Sequence, residues 1–189
     1  MKKAVKGNYG YINAKRNKVI LQTIVFFVIS LAIFMIGYVT TGTRKNLLTV
    51  VAVLGCLPAC KSLVNMIMFL RARGCSVSTM EKIQPFEGHL IGMYDMYFTS
   101  YQKNFAISHM VLEDKVILAY TEDEKFDHKA FKEHLNNMLK QGGFKDMTIT
   151  SSGDLDKYCE QLKNLNDRNQ EKDPERDDEA RIVLYDISL

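Results

Sequence analysis

With 189 residues, 47% of them hydrophobic, and a formal net charge of only +3, the chain has room for one small domain beside its apolar segments. The charge is unevenly placed: the basic N-terminal arm could bind nucleic acid or anionic lipid, but reads more simply as a positive-inside topology signal. The four cysteines, Cys56, Cys60, Cys75 and Cys159, contain no Cys-x-x-Cys pair, and no P-loop, GxGxxG or nucleophile-elbow pattern occurs.

Residues 1–18 form a basic arm: Lys2, Lys3, Lys6, Lys15, Arg16 and Lys18 precede the first apolar run without any acid. Residues 19–40 and 47–70 are two apolar runs. At ~1.5 Å rise per residue, each is long enough to cross a ~30 Å hydrocarbon core as a helix. A secretory signal would have a shorter apolar core and no second run behind it. The intervening loop, residues 41–46, is too short to separate the helices, so they are expected to be antiparallel neighbours. Its two charges, Arg44 and Lys45, are outweighed by the arm, which predicts a multi-pass protein of the cell membrane with both termini cytoplasmic. The cysteines then lie in the membrane or in a reducing compartment, where disulfides are not expected.

The second run carries the most unusual residue. Lys61 lies about nine residues, hence ~14 Å, from the cytoplasmic end, where an ionised side chain is costly. An equal depth into the first run reaches residues 28–30, which places Lys61 and Asn65 opposite Ser30 and Thr23, with Pro58 bending the helix beside them. These five residues are the candidate intramembrane polar site, for an anion, a lipid head group or a proton. The alternatives are a lysine that snorkels to the headgroups or a second span shorter than drawn. Cys56 and Cys60, at i, i+4 spacing, are read as small packing residues.

Residues 76–165 are read as a cytoplasmic domain. A short helix over 76–83 has Ser78 and Glu81 in capping-box spacing and is closed by Pro85. Strands are predicted over 90–99, 105–112 and 116–120, with Glu113-Asp114 turning between the last two. Phe131, Leu135, Met138 and Leu139 form a helical stripe ended by Gly142-Gly143, residues 147–150 a strand, and Asp154 the N-cap of a helix with stripe Leu155, Tyr158, Cys159, Leu162 and Leu165. Residues 166–180 are charged and read as a linker, and residues 181–189 as a strand returning to the sheet edge. The fold class is therefore a membrane α-helical hairpin followed by a small α/β (α+β) domain with a mostly antiparallel sheet, in the order α-β-β-β-α-β-α-(β).

His89, His109, His128 and His134 lack ligand spacing and are read as packed or solvated, so no metal and no cofactor is expected. The aromatic strand with Tyr94, Tyr97, Phe98 and Tyr101 is read as a face packed by helices rather than a base-stacking platform, and no nucleic acid is expected. Expected partners are the lipid bilayer and either a second copy or a cytoplasmic protein.

The strand pair NFAISHMVL (104–112) and KVILAYT (115–121) resembles that of nuclease-related domains with a restriction-endonuclease-like fold. The resemblance implies an Asp on the first strand and Glu-x-Lys on the second, holding a divalent metal. Here the matching positions are Ser108, Ala119 and Thr121, so the catalytic groups are gone; a second register would use Asp95 with Glu113-Asp114-Lys115. Over the whole chain, GNYGYINAKR, NLLTVVAVLGCLPACKSLVNMIMFLRARGCS and YDMYFTSYQKNF resemble a family of small uncharacterised two-span membrane proteins of Gram-positive bacteria. Some members are labelled glycosyltransferase-like, a label for which this sequence holds no sugar-nucleotide signature. Together these readings predict a membrane-tethered interaction or regulatory domain without catalysis. The alternatives are an enzyme of degenerate nuclease-like fold, or a lipid or ion site around Lys61.

Overall fold

The computed structural model describes residues 5–43, 46–101, 103–168 and 174–189. Lys2, Lys3, Arg44 and Lys45 lie outside the described residues. The chain divides into two units, one of residues 12–72 and one that joins residues 1–11 to 73–189.

The first unit is a pair of helices, α1 (Tyr11–Thr41) and α2 (Leu47–Arg71), both long and apolar enough to cross a membrane. Most of their large side chains face outward: Leu21, Val28, Leu31, Val53, Leu54 and Leu57 are all exposed. The buried residues of the pair are mostly small or polar, with Ile12, Val19 and Phe69 as the larger exceptions. Ala52, Ala59 and Ser62 of α2 are buried, as are Thr23 and Ser30 of α1. Thr23 Oγ1 and Ser62 Oγ share a hydrogen bond of 2.7 Å, and a Cβ on Gly55 would lie 3.0 Å from Ser30 Oγ. At the far end a Cβ on Gly37 would meet Leu48 Cβ at 2.7 Å, so the three contacts follow one antiparallel register. Small residues let the two backbones approach closely. Asn46 clasps the turn: its Oδ1 caps α2 by accepting from Thr49 N, while its Nδ2 lies 2.8 Å from the Gly37 carbonyl.

In the second unit, α3 (Val77–Glu87) is followed by β1 (Gly92–Thr99), β2 (Asn104–Glu113), β3 (Val116–Tyr120), α4 (His128–Gln141), β4 (Thr148–Ser152), α5 (Leu155–Asn166) and α6 (Pro174–Ile187). The sheet order is β1-β2-β3-β4; the first three strands are antiparallel and β4 is parallel to β3. Phe131, Leu135 and Leu139 of α4 and Ala180 and Leu184 of α6 cover one face, with Met93, Phe98, Ile107 and Ile117 beneath them. Ile83 of α3 and Tyr158, Leu162 and Leu165 of α5 cover the other, over Val111, Leu118 and Tyr120.

Two expectations are corrected. The proposed C-terminal strand over 181–189 is helical up to Ile187, and the proposed linker over 166–180 holds the end of α5 and the start of α6; its residues 169–173 lie outside the described ones. The physical reason is that Pro174 occupies the first helical position, where a missing N–H costs nothing, and Glu175 and Asp177 suit the positive helix end. Ala180, Val183, Leu184 and Ile187 then recur at helical spacing against the sheet. Only the last two residues reach the strand edge, where Ser188 bridges Phe98 and Leu189 N donates to the Tyr97 carbonyl at 2.8 Å.

The second correction concerns Pro85, which does not stop the helix: α3 runs through it to Glu87, capped at its start by Ser76 rather than Ser78. The start of the arm, up to Tyr11, also belongs to this unit. Gly7 bridges Tyr94 on β1, and Lys6 Nζ donates to the carbonyls of Tyr185 and Ser188, at 2.9 and 2.8 Å, at the end of α6. The compact unit thus takes in the start of the arm and α6 together with residues 76–165.

Candidate functional site

Strand alternation should send residues i and i+2 to one face. In β2, Phe105 and Ile107 obey this, yet the next residues in the same cluster are Met110 and Leu112. In β1, Met93 and Met96 are likewise three apart, and between them Asp95 has φ +56°. Both strands thus shift phase at one level, where Asp95 stands beside Ser108. The shift turns Tyr94 and His109, which a regular strand would point at α4 and α6, toward α3 and α5. Asp95 sits in a left-handed conformation that is unfavourable for a side chain, and its carboxylate accepts from Cys75 N at 2.7 Å.

The result is a polar chain, buried at His109 and Tyr158 and half-buried at Glu87 and Tyr94. His109 is fully buried, its Nδ1 lies 2.8 Å from the Tyr158 hydroxyl, and its ring sits 4.5 Å from that of Tyr94. Its Nε2 approaches Glu87 Oε1 to 2.8 Å, close but off the line of a straight hydrogen bond. The Tyr94 hydroxyl donates to the same Glu87 oxygen at 2.5 Å. An ionised Glu87 only accepts, which assigns the imidazole proton to Nε2 and makes Tyr158 the donor to Nδ1. Glycine is required at 92, because a Cβ there would lie 2.4 Å from Glu87 Oε1 and 2.6 Å from His109 Nε2.

The electrostatics follow from burial and these bonds. Burial pushes the His109 pKa down against the opposing pull of Glu87, so the ring is held neutral. Burial would raise Glu87, but the bonds from His109 and Tyr94 outweigh it and hold its carboxyl below the usual range. Tyr158 is raised far above the ordinary phenol value by desolvation first, and Tyr94 by desolvation and then by Glu87. Near the shifted strands, burial with Glu122 and Asp95 pushes the Cys75 thiol up to about 12, so it is no thiolate nucleophile at neutral pH.

Comparison with protein-family models, curated proteins and solved structures finds no match to this chain.

The nuclease positions are filled by packing groups. Ser108, Ala119 and Thr121 are buried, and Thr121 Oγ1 donates to the Ala106 carbonyl at 2.8 Å. Glu113-Asp114-Lys115 closes the β2–β3 turn, with Asp114 and Lys115 both at positive φ. Among the described residues no group of three His, Cys, Asp or Glu gathers as a metal site.

The five residues proposed between the spans separate into two sets. Thr23 and Ser30 are in the seam, where Thr23 meets Ser62 and Ser30 faces Gly55. Lys61, Asn65 and Pro58 instead line an open groove of about 630 Å³ with Gln22, Phe26, Ser62, Val64 and Met68. The register explains the split. Ser62 is level with Thr23, so Lys61 stands near Ile24 and not near residues 28–30. Residue spacing alone missed Glu87, Tyr94, His109 and Tyr158, because the phase shift that gathers them leaves no periodic trace.

Proposed function

We propose that the chain is a membrane-tethered domain that acts through protein or ligand contacts, held by a two-helix anchor with both ends of the chain on the cytoplasmic side. The observation that carries this reading is the outward apolar surface of α1 and α2, whose buried hydroxyls Thr23 and Ser62 bond to each other across the seam, with Gln22, Lys61 and Asn65 gathered along one groove. Orientation draws support from the arm: Lys6 and Gly7 bond to α6 and β1, so the segment before α1 and the domain after α2 share one compartment. An even number of crossings satisfies that constraint. The six basic residues of the arm favour the cytoplasm as that compartment.

A contact role is favoured over catalysis because the imidazole of His109 is wholly buried, with Tyr158 at one ring nitrogen and Glu87 at the other. The order α-β-β-β-α-β of α3 to β4 favours a second reading, a domain of nuclease-like ancestry. Two measurements test the proposal. Resistance of the full chain to alkaline carbonate extraction, with reporter fusions at both ends giving cytoplasmic signals, is the expected result. Release by carbonate, or opposite signals from the two ends, sinks the anchor; magnesium-dependent cleavage of DNA by the purified chain would establish the second reading instead.

A further inference from the structure

The hairpin carries a cation without a counter-charge of its own. From Ile12 to Ala72 the sequence contains no Asp or Glu, yet Lys61 is exposed on α2 in the middle of apolar surface. In hydrocarbon such a group needs an anion or a route to water. The seam register sets its depth. Because Thr23 meets Ser62, Lys18, the last basic residue of the arm, is level with Ile67. Lys61 is therefore about six residues, or ~9 Å, inside that boundary rather than ~14 Å. A lysine stem of ~6 Å, extended toward that boundary, leaves Nζ ~3 Å short of it.

What stands around that path is a groove and not bare helix. Pro58, Lys61, Asn65 and Met68 recur along one face of α2, with Gln22 and Phe26 of α1 opposite, around about 630 Å³. Asn65 is one turn above Lys61 toward the arm, and Gln22 stands near the level of both. Their side-chain amides bring up to four N–H donors next to one positive charge, with only two carbonyl acceptors between them. That is the complement of a phosphate: charge from the lysine and hydrogen bonds from the amides. Phe26, Val64 and Met68 supply an apolar wall suited to an acyl chain.

We propose that this groove binds the phosphate headgroup of an anionic phospholipid of the cytoplasmic leaflet, with Lys61 supplying the charge and Asn65 and Gln22 the donors. The proposal rests on the membrane reading above, and carbonate extraction, run on the same preparations, tells a failure of that reading from a failure of this one. In the test, full-length protein is extracted from bilayers of phosphatidylcholine with a minor fraction of phosphatidylglycerol, and retained lipids are counted by native mass spectrometry.

Wild type is expected to retain phosphatidylglycerol above its bulk share. Lys61→Met should lower that retention at least fivefold, and Lys61→Arg should restore most of it. Asn65→Leu and Gln22→Leu, which leave the charge intact, should each lower it about threefold, and they carry the test if Lys61→Met fails to accumulate. Inorganic phosphate at millimolar concentration should not displace the lipid. Retention at the bulk ratio, or displacement by inorganic phosphate, overturns the proposal. So does loss confined to the lysine variant with both amide variants unchanged, since that is the behaviour of a lysine that only snorkels.

Discussion

The two units solve the same problem with opposite layouts. In the hairpin most apolar side chains face out and the small hydroxyl residues Thr23, Ser30 and Ser62 are enclosed in the seam, while Gln22, Lys61 and Asn65 stay along one open groove. In the domain Phe98, Phe131, Leu135 and Leu184 are enclosed, and one polar chain from Glu87 to Tyr158 is admitted among them. The membrane reading proposed above accounts for the difference. With hydrocarbon outside, burying Leu gains nothing and close backbone packing holds the pair; with water outside, apolar area dominates and each buried polar group needs a partner.

The sharpest way to break this contrast is to remove apolar cover from the domain. Leu184 is fully buried against the sheet, so Leu184→Ala should destabilise the domain by about 3 kcal/mol, whereas a Leu57→Ala change on the outer face of α2 should cost under about 1 kcal/mol. Urea unfolding of the full chain in micelles, followed by domain-specific fluorescence labels, measures both. Equal effects would mean that α6 is only loosely attached to the sheet.

Much of this arrangement is legible in the chain. The apolar runs, the hairpin turn, the strands and the stripes of α4 and α5 follow from periodicity, because each of those elements has one buried side and regular spacing. Three features are hidden for physical reasons. Ile182 to Ile187 is rich in strand formers, yet packing of Ala180 and Leu184 decides for helix. Pro85 reads as a stop, but α3 carries on one turn and so delivers Glu87. The site itself depends on a phase shift at Asp95 and Ser108, which periodicity treats as noise.

The polar chain offers the next test. His109→Phe keeps the volume but leaves Glu87 and the Tyr158 hydroxyl without their shared partner, and should cost about 2–3 kcal/mol. Wild-type stability should also depend on pH with a definite sign. The folded state holds His109 below its unfolded pKa of ~6.5, so it binds fewer protons than the unfolded state, and stability falls as pH drops below ~6.5. Glu87, depressed below ~4.3, adds a second loss of the same sign at lower pH. His134 is also lowered by burial, so His109→Phe should shrink the first limb without abolishing it. A flat profile from pH 7 to 5 would refute the neutral imidazole.

Gly92→Ala tests the same centre by crowding. Its Cβ would fall within 2.6 Å of both Glu87 and His109, and relief requires the carboxylate to swing outward, at an expected cost of about 1–2 kcal/mol. Combined with Glu87→Ala, which removes the carboxylate clash but leaves the one with His109, the glycine change should lose part of its cost. An undiminished cost in the double variant would place the strain at His109 or in the β1 backbone rather than at the carboxylate.

The smallest effect belongs to the hairpin seam, and it sharpens the comparison most. Thr23 and Ser62 form a buried hydroxyl pair at 2.7 Å, with Thr23 Oγ1 also donating to the Val19 carbonyl at 2.8 Å. In water-surrounded protein, losing one partner of such a pair would leave an unsatisfied group. Here the Thr23 hydroxyl keeps its backbone acceptor, and a helix separated from its neighbour in lipid retains that bond as well. A double-mutant cycle of Thr23→Val and Ser62→Ala, read as hairpin association in micelles, should therefore give a coupling of only about 0.6 kcal/mol. A coupling above about 2 kcal/mol would mean that the seam is held by its polar pair rather than by the close approach of Gly55 and Ala59. Gly55→Leu, which drives a side chain into Ser30, would then be the milder substitution, the reverse of the order expected from backbone packing.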